Sequence, residues 1–167
     1  MRAESKIKTR EELVEIRKRV AERNKTVVFT NGCFDLLHRG HVEYLEKASE
    51  FGDLLFVGLN DDKSVTRLKG KGRPLINQED RALILASLES INFVSIFHED
   101  TPYQLIKSLQ PDVLVKGGDY NQDEIVGRDI VEANGGKVIT IPLTPGRSTS
   151  EIIRQLKMLF DKGIFSN

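Results

Sequence analysis

Cysteine occurs once in this sequence, at Cys33, so no internal disulfide can form and a reducing compartment is the expected setting. Acidic and basic residues number 25 each, which leaves no global positive field to hold a polyanion such as DNA. A nucleic-acid partner is therefore not expected, and any recognition of phosphate has to be local. No apolar run approaches the roughly 20 residues needed to cross a bilayer. The opening "MRAESKIKTREELVEI" also lacks the continuous apolar stretch of a signal peptide. The expectation is a cytoplasmic protein without a membrane partner. Internal repeats, low-complexity tracts and Pro/Ser-rich linkers are missing too, so nothing marks a second domain within 1–167.

What is present is enough for one domain with a real core: 167 residues, 39% of them hydrophobic. Short β-branched or aromatic runs recur at 26–30, 53–59, 93–97, 112–117 and 137–143, each bounded by turn residues. Continuous apolar runs of this length suit strands covered on both faces. Between them, 10–23, 41–51, 78–90, 102–109, 124–134 and 149–161 read as helices. The alternation predicts right-handed βαβ units in a single Rossmann-like, doubly wound α/β domain with a five-stranded parallel sheet. An extra N-terminal helix, about 9–23, precedes a core of about 26–155, and a C-terminal helix spans about 149–161. In such sheets ligands sit beyond the carboxyl ends of the strands, where strand order reverses. The segments that follow the strands are therefore where the chemistry is expected.

The first of them contains neither G-x-G-x-x-G nor G-x-x-x-x-G-K-[ST], which removes two common nucleotide sites. It has "TNGCFDLLHRGHVEYL" instead, with two of the chain's three histidines, His38 and His41, on either side of Gly40. A helix N-terminus offers partial positive charge and free N–H groups to phosphate, and two histidines three residues apart there can face one phosphate. Gly40 is expected to let a ligand approach the backbone. A zinc site is disfavoured, because Cys33, His38 and His41 lack the spacing and the fourth ligand of a structural site.

These residues resemble the G-x-F-D-x-x-H-x-G-H signature of the nucleotidyltransferase superfamily that includes glycerol-3-phosphate cytidylyltransferase and pantetheine-phosphate adenylyltransferase. The resemblance implies that His38 and His41 contact the triphosphate and stabilise the transition state. It places Thr30, Asn31, Gly32, Cys33, Phe34 and Gly40 at the nucleotide, with Asp35 nearer the acceptor.

The second post-strand segment, "NDDKSVTRLKGKGRPLINQEDR", holds Lys63, Arg67, Lys69, Lys71 and Arg73 around two glycines, and reads as a flexible cationic lid over phosphate. The resemblance implies a catalytic lysine here, matched by Lys69 or Lys71. Arg81, in "EDR", matches the family's E-x-R arginine and is expected to reach phosphate; Asp61 and Arg73 are assigned to the acceptor. In "VKGGDYNQDEIVGRD" the resemblance places Lys116, Gly118 and Asp119 near the nucleotide and Tyr120 near the acceptor. In "TPGRSTSEII", Ser148 and Glu151 form a capping box. Arg147 beside that helix start, with Ser148 and Thr149, is assigned to the triphosphate.

The resemblance covers about 26–155. The versions "GDYNQDEIVG" and "KGKGRPLINQEDRA" are most similar to the branch that transfers AMP from ATP to D-glycero-β-D-manno-heptose 1-phosphate, releasing pyrophosphate and giving ADP-heptose for lipopolysaccharide core synthesis. It implies Mg²⁺ bound mainly through phosphates, with no metal ligand assigned to a side chain, and a functional association with a sugar kinase. Two alternatives stay open: a cytidylyltransferase acting on glycerol 3-phosphate or a similar polyol phosphate, and a non-catalytic nucleotide sensor. A homodimer is also left open, since the apolar "MLFDKGIF" near the C-terminus either covers a partner or closes the core.

Overall fold

The structure is a computed structural model that describes residues 2–118, 124–142 and 144–164. Five strands, β1 (Val27–Gly32), β2 (Leu54–Asn60), β3 (Phe93–Phe97), β4 (Val113–Gly117) and β5 (Lys137–Ile141), form one sheet in the order β3-β2-β1-β4-β5. Every pairing is parallel, with Val27 against Leu54, Phe56 against Phe93, Val28 against Val113 and Val113 against Lys137. Strand order reverses beside β1, so the crevice between the carboxyl ends of β1 and β4 is the switch point.

The sheet is buried on both sides, as its continuous apolar strands require. On one face α2 (Arg39–Ser49) and α4 (Gln78–Ala86) cover Val28, Leu55, Val57, Val94 and Val115 with Leu45, Ala48, Ala82 and Leu85. On the other, α1 (Arg10–Ala21), α5 (Tyr103–Leu109) and α6 (Arg128–Ala133) cover Val27, Phe29, Phe56 and Leu114 with Leu13, Leu105, Ile106 and Val131. Helix α1 starts in a Thr9–Glu12 capping box and is part of the core rather than an appendage, because Leu13 is fully buried. The segment before it is tied in as well. Ile7 bridges Val94, and the Lys6 ammonium donates to the carbonyls of Leu88 and Ile91.

One helix was not expected. Residues Asp62–Lys69 form α3, so the first half of the cationic segment is ordered helix and not flexible lid. Asp61 is its N-cap, accepting from the Ser64 N–H at 2.7 Å, and Gly70 ends it at φ 93°. Both are ordinary helix signals, an aspartate cap and a left-handed glycine stop, that the run of charges obscured. Helix α6 is shorter than expected because Gly127, at its N-cap position, has φ 88°.

The last helix, α7 (Thr149–Asp161), buries none of its residues, and Leu156, Met158, Phe160 and Ile164 are exposed. The C-terminal apolar segment therefore does not close the core. Among the described residues no helix is long and apolar enough to cross a membrane.

Candidate functional site

The cleft at the switch point has a volume of about 610 Å³ and is lined by the ends of β1, β2 and β4 together with the starts of α2 and α7. Strand β1 delivers Asn31, Gly32, Cys33, Phe34 and Asp35 to its edge, and the turn into α2 delivers His38, Gly40 and His41. His38 is the N-cap of α2, and among the described residues its side chain makes no capping hydrogen bond. The first-turn N–H groups of Arg39 and Gly40 are thus available to an anion. The two imidazoles stack, with centroids 3.9 Å apart and planes at 24°, and Phe34 meets His41 edge-on at 5.4 Å. Phe34 adopts φ 44°, a strained conformation for a non-glycine residue, and this folds its ring back over Gly32. A Cβ on Gly32 would stand 2.9 Å from that ring.

Gly40 has a more specific role than backbone access. A Cβ there would lie 3.1 Å from both the His38 ring and Arg147 Cβ. The missing side chain is what lets Arg147, from the segment after β5, approach the histidine pair. Thr149 reinforces that approach by donating to the Leu36 carbonyl at 3.2 Å, and Thr144 does so by bonding Glu43 on α2 at 2.7 Å. Ser148 caps α7 by accepting from the Glu151 N–H.

Both histidines are neutral near pH 7. Burial lowers the His38 pKa, and the nearby Arg147 guanidinium lowers it further. Burial, helped by His38, brings His41 down to about 4. Among the described residues neither buried Nδ1 has a hydrogen-bond partner. Two stacked imidazoles with unused ring nitrogens can donate to an incoming oxyanion, and a bound phosphate would raise both pKa values.

This has a consequence for acid stability. Above the ordinary imidazole value of 6.5, His41 is neutral in the folded and the unfolded chain alike, so its full contribution is present there. As pH falls from 6.5 towards about 4, only the unfolded chain takes up this proton and stability is lost. Urea midpoints should therefore drop more steeply across that window in the unmodified protein than in His41→Asn. Parallel profiles would show that His41 is not held neutral.

Several residues assigned from sequence lie elsewhere. Arg81 does not line the cleft; it is fully buried, and its guanidinium donates to the carbonyls of Ile76, Cys33 and Asn60 and to the Asp62 carboxylate. It locks three segments together behind the site, which leaves its N–H groups occupied rather than facing phosphate. Thr30 is also fully buried, with its hydroxyl 2.6 Å from that of Tyr44, so it joins β1 to α2. Asp61 is spent on the α3 cap and on His98 Nδ1 at 3.1 Å.

Of the five lid cations only Lys69 and Arg73 line the cleft. Arg67 bonds Asp100 and the His98 carbonyl, while Lys63 and Lys71 are exposed outside it. Arg73 pairs at 2.6 Å with Asp35, whose other oxygen accepts from the N–H groups of Leu75 and Ile76. The segment after α3 is thus pinned to the β1 edge. Gly118 has φ 115° and donates to the Ile141 carbonyl, which makes it a turn residue beside the cleft. Asp119 and Tyr120 lie outside the described residues.

The sequence reading missed the wall formed by Asn60, Leu68, Asp100, Thr101 and Pro102 on one side and by Val126 and Thr144 on the other. Position alone pointed to them, since all seven fall in the segments that follow strands, 60–77, 98–102, 117–127 and 144–151. A second groove, of about 570 Å³, lies between the start of α1 and the end of β3, away from the switch point. The Arg10–Glu99 ion pair crosses it, and none of the assigned residues lines it.

Comparison with known proteins agrees with this arrangement. The family model described as Cytidylyltransferase-like matches residues 29–155. The chain is 54% identical over 160 residues to "Bifunctional protein HldE" of Syntrophotalea carbinolica, covering 96% of this chain and 33% of that protein. It is 56% identical over 154 residues to the protein of the same name in Citrifermentans bemidjiense, covering 92% and 32%. The chain spans about a third of the length of the curated relatives it matches.

Among solved structures, the lipopolysaccharide core biosynthesis protein from Thermoplasma volcanium superposes with a TM-score of 0.59 at 24% identity, over 72% of this chain and 97% of that one. Pantoate-beta-alanine ligase from Francisella tularensis gives 0.60 at 14% identity, over 96% and 81%. Both share the fold. The extent of the family match and the identity to the curated relatives make this chain a member of the cytidylyltransferase-like family of nucleotidyltransferases.

Proposed function

We propose that the site transfers AMP from ATP to D-glycero-β-D-manno-heptose 1-phosphate, giving ADP-heptose and pyrophosphate. The observation that carries nucleotidyl transfer is the stacked, neutral His38–His41 pair at an uncapped helix start, with Arg147 drawn against it through Gly40. Identity of 54–56% to HldE proteins over most of the chain supports the adenylyl and heptose assignments, together with the "GDYNQDEIVG" resemblance. The association with a sugar kinase implied by that resemblance belongs to the same proposal.

In this reading a phosphate oxygen of the acceptor attacks the α-phosphorus. Its bond to phosphorus forms as the bond to the bridging oxygen breaks, and pyrophosphate departs with the electron pair. No enzyme nucleophile is needed, since the acceptor phosphate is one already. His38 and His41 donate to the α-phosphate oxygens as charge develops, while Arg147 and the start of α7 hold the β and γ phosphates. Lys69 and Arg73 neutralise the phosphates from the opposite wall, Lys69 being the lid lysine of the two candidates that reaches the cleft. Among the described residues no three carboxylate, histidine or cysteine groups converge on a cation site. Magnesium, as the resemblance implies, would be carried mainly by the phosphate oxygens, where it would screen the leaving group.

Pyrophosphate release measured with ATP or CTP against a panel of sugar and polyol phosphates tests the proposal. Turnover with ATP and heptose 1-phosphate is expected. Turnover with CTP and glycerol 3-phosphate would replace the heptose reading by a cytidylyltransferase, and silence with every pair would favour a sensor.

A further inference from the structure

Glu43 lies on α2, three residues past Gly40, and belongs to none of the motifs read from the sequence. One of its carboxylate oxygens accepts from Arg39 Nε, and the other accepts from the Thr144 hydroxyl at 2.7 Å. Thr144 is part of the cleft wall and stands three residues before Arg147. The segment that carries Arg147 thus meets α2 and its entry at three points: Thr144 on Glu43, Arg147 Cβ against Gly40, and Thr149 on the Leu36 carbonyl. Helix α7 adds nothing to this hold, since it buries none of its residues. The Arg147 side chain is exposed and has no hydrogen-bond partner among the described residues. Its place is therefore set by the backbone that those points fix, and Glu43 supplies the one of them that is charge-assisted.

An anion here is otherwise unfavourable. The Thr144 and Arg39 hydrogen bonds hold the Glu43 carboxyl below the usual carboxylate range, with Arg147 adding to the effect, so the group is ionised near pH 7. A carboxylate beside a guanidinium that receives triphosphate repels the phosphates and competes for the same cation. Electrostatics alone thus predicts that deleting Glu43 tightens nucleotide binding, and the Arg39 set free by the deletion pulls the same way. The Thr144 hydrogen bond predicts the reverse, because without it the segment loses an anchor and the guanidinium spreads over many positions.

We propose that Glu43 is a positioning residue for Arg147: through Thr144 it fixes the segment after β5 so that the guanidinium stays beside the His38–His41 pair, and it raises affinity for ATP although it is itself an anion. This rests on the nucleotidyl-transfer reading above. Glu43 touches no substrate, so its loss falls on ATP binding and spares turnover at saturation.

The test is calorimetric titration of ATP into Glu43→Ala, Glu43→Gln, Thr144→Val and Arg147→Ala, alone and combined. Arg147→Ala should weaken ATP binding about 10- to 100-fold, the worth of its charge-assisted hydrogen bonds, and Glu43→Ala about 3- to 10-fold. Glu43→Gln keeps an oxygen for the Thr144 hydroxyl and should stay within about twofold of the unmodified protein. Thr144→Val should match Glu43→Ala, and neither should add to the Arg147→Ala loss, because all act through one guanidinium. Unchanged or tighter ATP binding in Glu43→Ala makes Glu43 a plain surface charge and overturns the proposal. So does a loss that persists undiminished beside Arg147→Ala. Failure of the unmodified protein to bind ATP would sink the proposed function instead. NMR titration of His38 then decides the Glu43 assignment without a nucleotide. Burial lowers the His38 pKa and Arg147 lowers it further, while the stacked His41 ring is the same in every variant. The His38 pKa should rise in Glu43→Ala by part of the rise seen in Arg147→Ala, and not in Glu43→Gln. No rise in Glu43→Ala overturns the proposal, since removal of a carboxylate alone would lower that pKa.

Discussion

His41→Ala and His38→Ala are each expected to lower kcat about 10²- to 10³-fold, the usual worth of one preorganised donor to a developing oxyanion. In the proposed reaction the effect should fall on turnover more than on ATP binding, because Arg147, Lys69 and the helix starts would still hold the triphosphate. Folding should be little affected. Each buried Nδ1 is without a partner among the described residues, so the imidazoles are held at some cost to the native state. Truncating one removes a burden along with some packing against Phe34. Pyrophosphate release at saturating ATP gives kcat, and urea unfolding of the same preparations gives stability. Near-normal turnover in both variants would remove the histidines from the chemistry. Loss of turnover in step with loss of folded protein would reduce them to structural groups.

Arg81→Ala should destabilise the fold by about 3–5 kcal/mol, the cost of breaking a buried charged network by removing one partner. For a chain of this size that corresponds to roughly 6–20 °C in thermal midpoint. The deletion strands the carbonyls of Cys33, Asn60 and Ile76 and leaves Asp62 without its partner, all at the rear of the cleft. Lysine is a poor substitute, since a point charge on a flexible stem cannot reproduce a planar fork of donors. An exposed phosphate-binding arginine behaves in the opposite way: its loss leaves the midpoint unchanged and raises KM for ATP. Differential scanning calorimetry with ATP titration separates the two. An unchanged midpoint would mean that Arg81 is not the lock described here.

The contrast between these residues shows what a single sequence carries. The place of His38 and His41 in the cleft was legible because it depends on local features, a strand end, a glycine and a helix start within ten residues. The burial of Arg81 was not legible, because "EDR" near a helix start looks the same whether the side chain faces water or reaches inward. Its partners, at 33, 60 and 76, are brought to it only by the crossing of β1, β2 and the segment before α4. Asp35 and Arg73 were both assigned to the acceptor, yet they meet as a buried pair 38 positions apart. Thr30 and Asp61 have their side chains engaged within the protein for the same reason. Each small polar group found a protein partner first, Tyr44 in one case and the α3 cap in the other.

By itself the sequence determined the five parallel strands, most of the helices, the switch-point location and the histidine motif. Hydrophobic periodicity, glycine and capping residues act over one or two turns and need no knowledge of the rest of the chain. Only the tertiary structure decided which cations face the cleft, why Gly40 has no side chain, and that Lys116 stands there without a counter-ion among the described residues. Charge pairing and burial depend on groups far apart along the chain, and folding alone sets which of them meet.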